Sequence, residues 1–220
     1  MKIAIWYHAK ISGEGVPNPD AALEVVSEQM SALQDSGLSA ASSEFHIGVN
    51  GTDSDALAIS ALCPGNPAFY VHGPEARSEI PTMNKLREWL QPGWLVLYHH
   101  TKGITHPGEA LYETWRRCMQ RGCIWNWEEC KRLLGTNYES VGCHWLTREK
   151  YGPAVKSPFW GGTFWWAKSE YLMTLPPLPA PTWENRYEAE SWIGLGKKLP
   201  RIFDFGNHWP NLAECSRMGN

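Results

Sequence analysis

The run Trp94-Leu95-Val96-Leu97-Tyr98 is uninterrupted apolar sequence that stops abruptly at His99-His100-Thr101-Lys102-Gly103. A strand with no polar alternation must be covered on both faces, as parallel strands sandwiched between helices are, so this run predicts a central strand of an α/β sheet. Lys2 to Tyr7 reads as a second buried strand. Between them, Ala21 to Leu38 places Leu23, Val26, Met30 and Leu33 at helical spacing. Asn18 is a capping residue with Pro19 at the first helical position, Asp20 suits the positive end, and Gly37 supplies a left-handed stop. Glu44 to Val49 returns as a strand closed by Asn50-Gly51, which makes the unit a βαβ crossover.

The chain continues in the same alternation. A polar stretch punctuated by Gly and Pro runs to Pro67, followed by a short strand over Ala68 to His72 and a helix opened by Ser78 with Met83, Leu86, Trp89 and Leu90 inward. Helical segments are expected near Glu109 to Arg121 and Ile124 to Leu134, broken near Gly122 and stopped at Gly135. Further strands are expected at Tyr138 to Cys143 and Thr163 to Ala167. After a proline-rich loop from Pro176 to Pro181, a last helix near Arg186 to Leu195 precedes a final strand at Arg201 to Phe205. Nothing marks a linker or a repeat, so residues 1–220 read as one domain, a length that supports a sizeable core.

Lys plus Arg number 20 against 23 Asp plus Glu, and a formal charge of −3 argues against tight binding to bare nucleic acid. No apolar run approaches the length of a membrane span, and the first residues lack a cleavage signal, so a cytoplasmic location is expected. The six cysteines are then expected to be reduced thiols, and Cys118, Cys123 and Cys130 are too widely spaced for a C-x-x-C zinc knuckle. Thirteen tryptophans exceed what a core of this size calls for, and flat indole faces stack on sugar rings and bases. Trp115, Trp125 and Trp127 read as packing residues on helices.

In open α/β sheets ligands bind beyond the carboxyl ends of the strands. The candidates there are Tyr7 and His8 after the first strand, Asn50 and Gly51 after the second, and His99 to Gly103 after the central one. There is no G-x-G-x-x-G after the first strand and no P-loop pattern anywhere, so the dinucleotide and Walker-type readings lack a phosphate cradle. Tyr7 and His8 are suited to stacking on and hydrogen-bonding a uracil-like base, or His8 is a satisfied structural histidine.

The run Tyr98-His99-His100-Thr101-Lys102-Gly103, preceded by Ser78-Glu79-Ile80-Pro81-Thr82, resembles a group of small bacterial and viral glycosyltransferase-like proteins with a Y-x-H-T-K-G signature. Tyr138 to Trp145, Gly161-Gly162-Thr163-Phe164-Trp165-Trp166-Ala167 followed by Tyr171 and Leu175-Pro176, and Arg186 to Ile193 extend the resemblance, in order, over almost the whole chain. It implies a Rossmann-like GT-A nucleotide-sugar transferase fold with a mostly parallel central sheet flanked by helices. It also implies transfer of a hexose-type sugar from a nucleotide donor, with UDP-sugars favoured, to a hydroxyl of a glycan, a lipid-linked sugar, a protein or a modified base.

Expulsion of a nucleoside diphosphate builds negative charge that a metal or fixed cationic and hydrogen-bonding groups must meet. No D-x-D follows the central strand, where GT-A enzymes carry one. Lys102 is the candidate point charge, with His100, Thr101 and Gly103 around it. Mn2+ or Mg2+ stays open as a cofactor, with His100 a candidate ligand, while Asp53-Ser54-Asp55 spells D-x-D too early and reads as a solvated turn or helix cap. Asn50, Glu79 and Thr82 complete the donor candidates, although Glu79 and Thr82 also suit the first turn of a helix. Glu190 or Glu188 is the expected base; two apart, they cannot share one helical face. Arg186 would pair with Glu190 on a helix, and Gly162, Trp165, Trp166 and Arg186 are the acceptor-side candidates. Trp165 and Trp166 alternate on a strand, so one is core and the other free to face a sugar. The alternative is a catalytically inactive carbohydrate-binding or assembly module on the same fold.

Overall fold

The computed structural model describes residues 1–76, 78–151, 157–180 and 188–206. The strands are β1 (Lys2–Ala9), β2 (Glu44–Val49), β3 (Ala68–Val71), β4 (Trp94–His100), β5 (Ser140–Gly142), β6 (Trp145–Leu146), β7 (Phe159–Trp160), β8 (Trp165–Lys168) and β9 (Ile202–Asp204). The helices are α1 (Pro19–Asp35), α2 (Leu38–Ala41), α3 (Asp53–Ser60), α4 (Ile80–Trp89), α5 (Ala110–Gln120), α6 (Trp127–Leu134), α7 (Arg148–Tyr151), α8 (Ser169–Leu172) and α9 (Glu188–Ser191). A seven-stranded sheet has the order β3-β2-β1-β4-β8-β5-β9, and β6 pairs with β7 in a separate hairpin. Strands β1 to β4 are mutually parallel, β5 and β9 are parallel, and β8 alone runs antiparallel to its neighbours β4 and β5. This is the expected Rossmann-like, mostly parallel central sheet flanked by helices.

Alternation along β1 explains the two cores. Ile3, Ile5 and Tyr7 enter one apolar layer with Val26, Met30 and Leu33 of α1. Ala4 and Trp6 enter the other with Met83 and Leu86 of α4. Val96 and Tyr98 share the α4 side, and Leu95 and Leu97 the α1 side, so β4 is covered on both faces. Helix α1 begins as the sequence predicts, with Asn18 Oδ1 accepting from the Ala21 amide at 3.1 Å and Pro19 in the first turn. It ends at Asp35; Gly37, at φ +76°, turns the chain into α2.

Several expectations need correction. The polar stretch before Pro67 contains α3, held by a capping box between Thr52 and Asp55. Its core contribution is a single buried residue, Ile59, so no apolar stripe announces it. Helices α5 and α6 are joined by a π-turn over Arg121–Trp125, where a Cβ at Gly122 would collide with the Cys143 thiol. Trp125 is half exposed, whereas Trp115 is buried. Cys63, Cys123, Cys130 and Cys143 are free thiols, but Cys118 is disulfide-bonded, against the expectation that every cysteine is reduced. Among the described residues no helix is long and apolar enough to cross a membrane.

Candidate functional site

The strand registers bring the carboxyl ends of β1, β2 and β4 level. His8 pairs with His100, and Ala9 with Val49. The amide of Thr101 donates to the His8 carbonyl at 3.0 Å, and that of Asn50 to the Ala9 carbonyl at 2.9 Å. The end of the sheet is thus a row of polar side chains roofed by the start of α4 and by α9. A cleft of about 300 Å³ opens there, lined by His8, Asn50, Glu79, His100, Thr101, Lys102, Gly103 and Glu190, with Lys10, Ser78, Ile104, Thr105, His106 and Tyr112 at its margins.

The turn after β4 is held from below. Gly103 has φ +90°, and a side chain there would press on Tyr112 and Arg116. Arg116 donates to the Lys102 carbonyl at 3.2 Å and is itself clamped by Glu28 through two bonds of 3.2 and 2.9 Å, with Gln120 donating to the same carboxylate at 2.8 Å. With its backbone fixed in this way, Lys102 carries its ammonium over the Trp115 ring, 4.0 Å from the centroid. Burial lowers the pKa of Lys102, while Glu190 and Glu79 act to keep it charged.

His8 is oriented from behind. Its Nδ1 lies 2.8 Å from Thr82 Oγ1, and the same hydroxyl lies 3.1 Å from His72 Nε2. Gly48 makes room, because any side chain there would overlap Thr82. Burial pushes His8 well below the usual imidazole range and His72 down to about 4, so both rings are neutral at neutral pH. Asn50 donates through Nδ2 to the Ser78 carbonyl at 2.8 Å, which ties the end of β2 to the start of α4.

Not every predicted residue reaches the cleft. Tyr7 is fully buried on the α1 side, its hydroxyl donating to Gln29 Oε1 at 2.6 Å, because successive strand residues face opposite ways and His8 takes the cleft side. Thr82 lies behind His8 rather than at the surface. Trp165 stacks on Tyr98, centroids 5.2 Å apart, and Trp166 donates to the Cys123 carbonyl at 2.7 Å. Both indoles are core, since both sheet faces are covered, and neither is free to face a sugar. Gly162 sits behind His100, where its carbonyl is 2.9 Å from Nε2. Glu190 lines the cleft and Glu188 does not. Arg186 lies outside the described residues. His72, Arg116 and Glu28, which hold the site in shape, were not singled out from sequence; Arg116 and Gln120, four apart on one helix, were the available signal.

The donor set does not fit a divalent cation. Asp55 accepts from the Thr52 amide at 2.7 Å and from the hydroxyls of Thr52 and Ser12 at 2.9 Å each, so the D-x-D is a helix start. His100 has one ring nitrogen on the Gly162 carbonyl and the other facing Glu79. Among the described residues no three His, Cys, Asp or Glu side chains assemble as a ligand group.

The family model described as "Domain of unknown function (DUF8361)" matches residues 7–190. The chain belongs to this family. No curated protein matches the sequence. Among solved structures, the chain is similar to a 4-diphosphocytidyl-2C-methyl-D-erythritol synthase from Anaerococcus prevotii, with 9% identity, coverage of 99% of this chain and 96% of that one, and a TM-score of 0.46. It is also similar to Rv0371c from Mycobacterium tuberculosis, with 11% identity, 99% and 96% coverage and a TM-score of 0.47. These scores are too low to carry a functional argument, which rests on the cleft.

Proposed function

We propose that the protein is a nucleotide-sugar-dependent glycosyltransferase, with the donor diphosphate on the His100-Thr101-Lys102-Gly103 turn. The observation that carries this reading is the placement of Lys102. An ammonium is brought to the end of the central strand, braced over Trp115 on a backbone that Arg116 and Glu28 lock, and it faces the cleft rather than bulk water. Desolvating a cation is costly unless an anion arrives to meet it, and a leaving diphosphate is such an anion. The level ends of β1 and β2 add His8 and Asn50 to the same cleft, where the Asn50 Oδ1 has no hydrogen-bond partner. Glu190, across from them on α9, is in position to take the proton of an acceptor hydroxyl. The resemblance of Tyr98 to Gly103 to the Y-x-H-T-K-G proteins supports the same class, with UDP-sugars the first donors to try and the protein working without a D-x-D at the usual place.

The test is calorimetric binding and donor turnover with a panel of nucleotide sugars. Binding of a nucleoside diphosphate and its sugar, with turnover on a sugar-hydroxyl acceptor, is expected. A failure of every nucleotide and nucleotide sugar to bind would sink the reading, and glycan binding with no donor turnover would favour the inactive binding module instead.

A further inference from the structure

The protons on His100 and Glu79 are fixed by their neighbours. The Gly162 carbonyl can only accept, so His100 Nε2, 2.9 Å away, must carry the hydrogen and donate it. The backbone at this point is unusual, with Gly162 at φ +84° and the β-branched Thr163 at φ 54°, and this turn aims the carbonyl at the imidazole. A neutral ring with hydrogen on Nε2 has a bare Nδ1, and that atom faces Glu79 Oε1 at 3.4 Å. A bare ring nitrogen and a carboxylate anion this close repel, which favours a proton on one of the two groups, the ring or the carboxyl. The other oxygen, Oε2, is buried with the Tyr98 hydroxyl as the polar group near the carboxyl, out of good hydrogen-bond alignment, so a carboxylate anion there is weakly solvated.

The surroundings decide which group holds the proton. Burial, the Lys102 ammonium and His99 push His100 down to about 3. Burial and the nearby Glu190 push Glu79 up to about 8, with the Tyr98 hydroxyl and Lys102 pulling the other way by less. We infer that Glu79 carries a proton at neutral pH and that this proton sets the charge of the cleft, admitting anionic ligands of the nucleoside diphosphate class. This rests on the proposed function for its choice of ligand. With Glu79 neutral, Glu190 is the one carboxylate beside the Lys102 ammonium among the described lining residues; with Glu79 ionised, a second carboxylate faces the same ammonium and opposes a diphosphate. Glu79 is thus a positioning residue that acts through the field it imposes on the Lys102 site.

The groups facing Glu79 are Tyr98, His100 and Lys102 from β4 and its turn, Glu190 from α9, and His8 from β1 across the cleft. His8 and His72 stay neutral above pH 7 because burial depresses both. Burial lowers the Lys102 pKa from its ordinary 10.5, with Glu190 and Glu79 acting against the shift, and Glu79→Gln reads any titration of Lys102 by itself.

The experiment is calorimetry of UDP binding to the full chain between pH 7 and 9, above the second phosphate ionisation near 6, in buffers of different ionisation enthalpy. Affinity should hold steady up to about pH 8 and then weaken, approaching about tenfold per pH unit, with uptake of a proton on binding. Glu79→Gln, a neutral isostere, should bind with little change over the same range and take up no proton. The pH at which the wild type begins to take up a proton, near 8 for Glu79, is read without any variant, so the inference stays testable if Glu79→Gln fails to fold. UDP binding that is independent of pH and proton-neutral, or an equal loss in Glu79→Gln, overturns this inference alone. Binding of UDP at no pH overturns the proposed function and this inference with it.

Discussion

The segment after β2 and the turn after β4 leave the sheet at the same end, and both are rich in polar side chains, yet they use them in opposite ways. In the first, Asp55 receives hydrogen bonds from the Thr52 amide, the Thr52 hydroxyl and Ser12, and the segment exists to start α3. Around the second, Lys102 rests on an indole, a buried Glu79 oxygen has no aligned hydrogen bond, and burial holds His8 and His100 neutral. A polar group fully satisfied by hydrogen bonds within its own turn is structural; one whose backbone is fixed while its head faces an open cleft is free to meet a ligand. By that criterion the D-x-D tripeptide is a helix start, and the histidine-lysine turn is the proposed site.

The largest effect that can sharpen this contrast is at Glu190. If Glu190 is the base, as proposed, Glu190→Gln should lower turnover by about 10²- to 10⁴-fold with donor binding retained, while Glu188→Gln, whose residue does not line the cleft, should stay near wild type. Equal losses in the two variants would remove the assignment. Next comes the comparison itself. Lys102→Ala should lower turnover by about 10²- to 10³-fold, the scale of a lost contact to developing charge, while Asp53→Asn and Asp55→Asn retain activity in the folded protein. The reverse ranking would place the donor on the loop after β2.

The strands were legible because burial writes apolar runs, and β2 begins and ends where the run Glu44 to Val49 does. The rule that ligands gather at strand ends located His8, Asn50 and His100 to Gly103 in one cleft. Period-two alternation, applied residue by residue, would also have turned Tyr7 away from the cleft in favour of His8. It could not reveal that both Trp165 and Trp166 are covered, since that depends on helices from distant parts of the chain packing on both faces. Helix α3 escaped because Asp53–Ser60 has one buried residue and no stripe, and β6 and β7 because two-residue strands carry no period. The Glu79–His100 contact joins residues on a helix start and a strand end, and only the finished sheet makes them neighbours.

A smaller effect separates the two regions by pH. His8, His99 and His100 are depressed in the fold and bind protons on unfolding below their ordinary value of 6.5, so stability falls as pH drops from about 6.5 toward their folded values, near 3 for His99 and His100. Glu79 is raised from 4.5 to about 8, so its contribution is complete below 4.5 and is lost as pH rises through about 8. The histidines outnumber it on the acid side, so thermal stability should peak near pH 6.5. Unfolding midpoints between pH 4 and 9 test this, and Glu79→Gln should flatten the alkaline limb and steepen the acid limb above pH 4.5, where Glu79 opposes the histidines. An unchanged alkaline limb in that variant would show that Glu79 is not the group titrating there.

The smallest effect belongs to the satisfied region and runs through stability alone. Thr52 caps α3 by accepting from the Asp55 amide at 3.3 Å, while the Asp55 carboxylate accepts in return from the Thr52 amide. Removing a cap of this kind costs about 1 kcal/mol. The helix it starts buries little, with Ile59 its one buried residue, so the loss should stay local. Thr52→Ala should therefore lower the unfolding free energy in denaturant titration by about 1 kcal/mol and leave UDP affinity within twofold of wild type, a ratio equivalent to about 0.4 kcal/mol. A substantial loss of UDP affinity in a folded Thr52→Ala protein would mean that the capped segment reaches the ligand, and that the line drawn between satisfied and unmet polar groups runs in the wrong place.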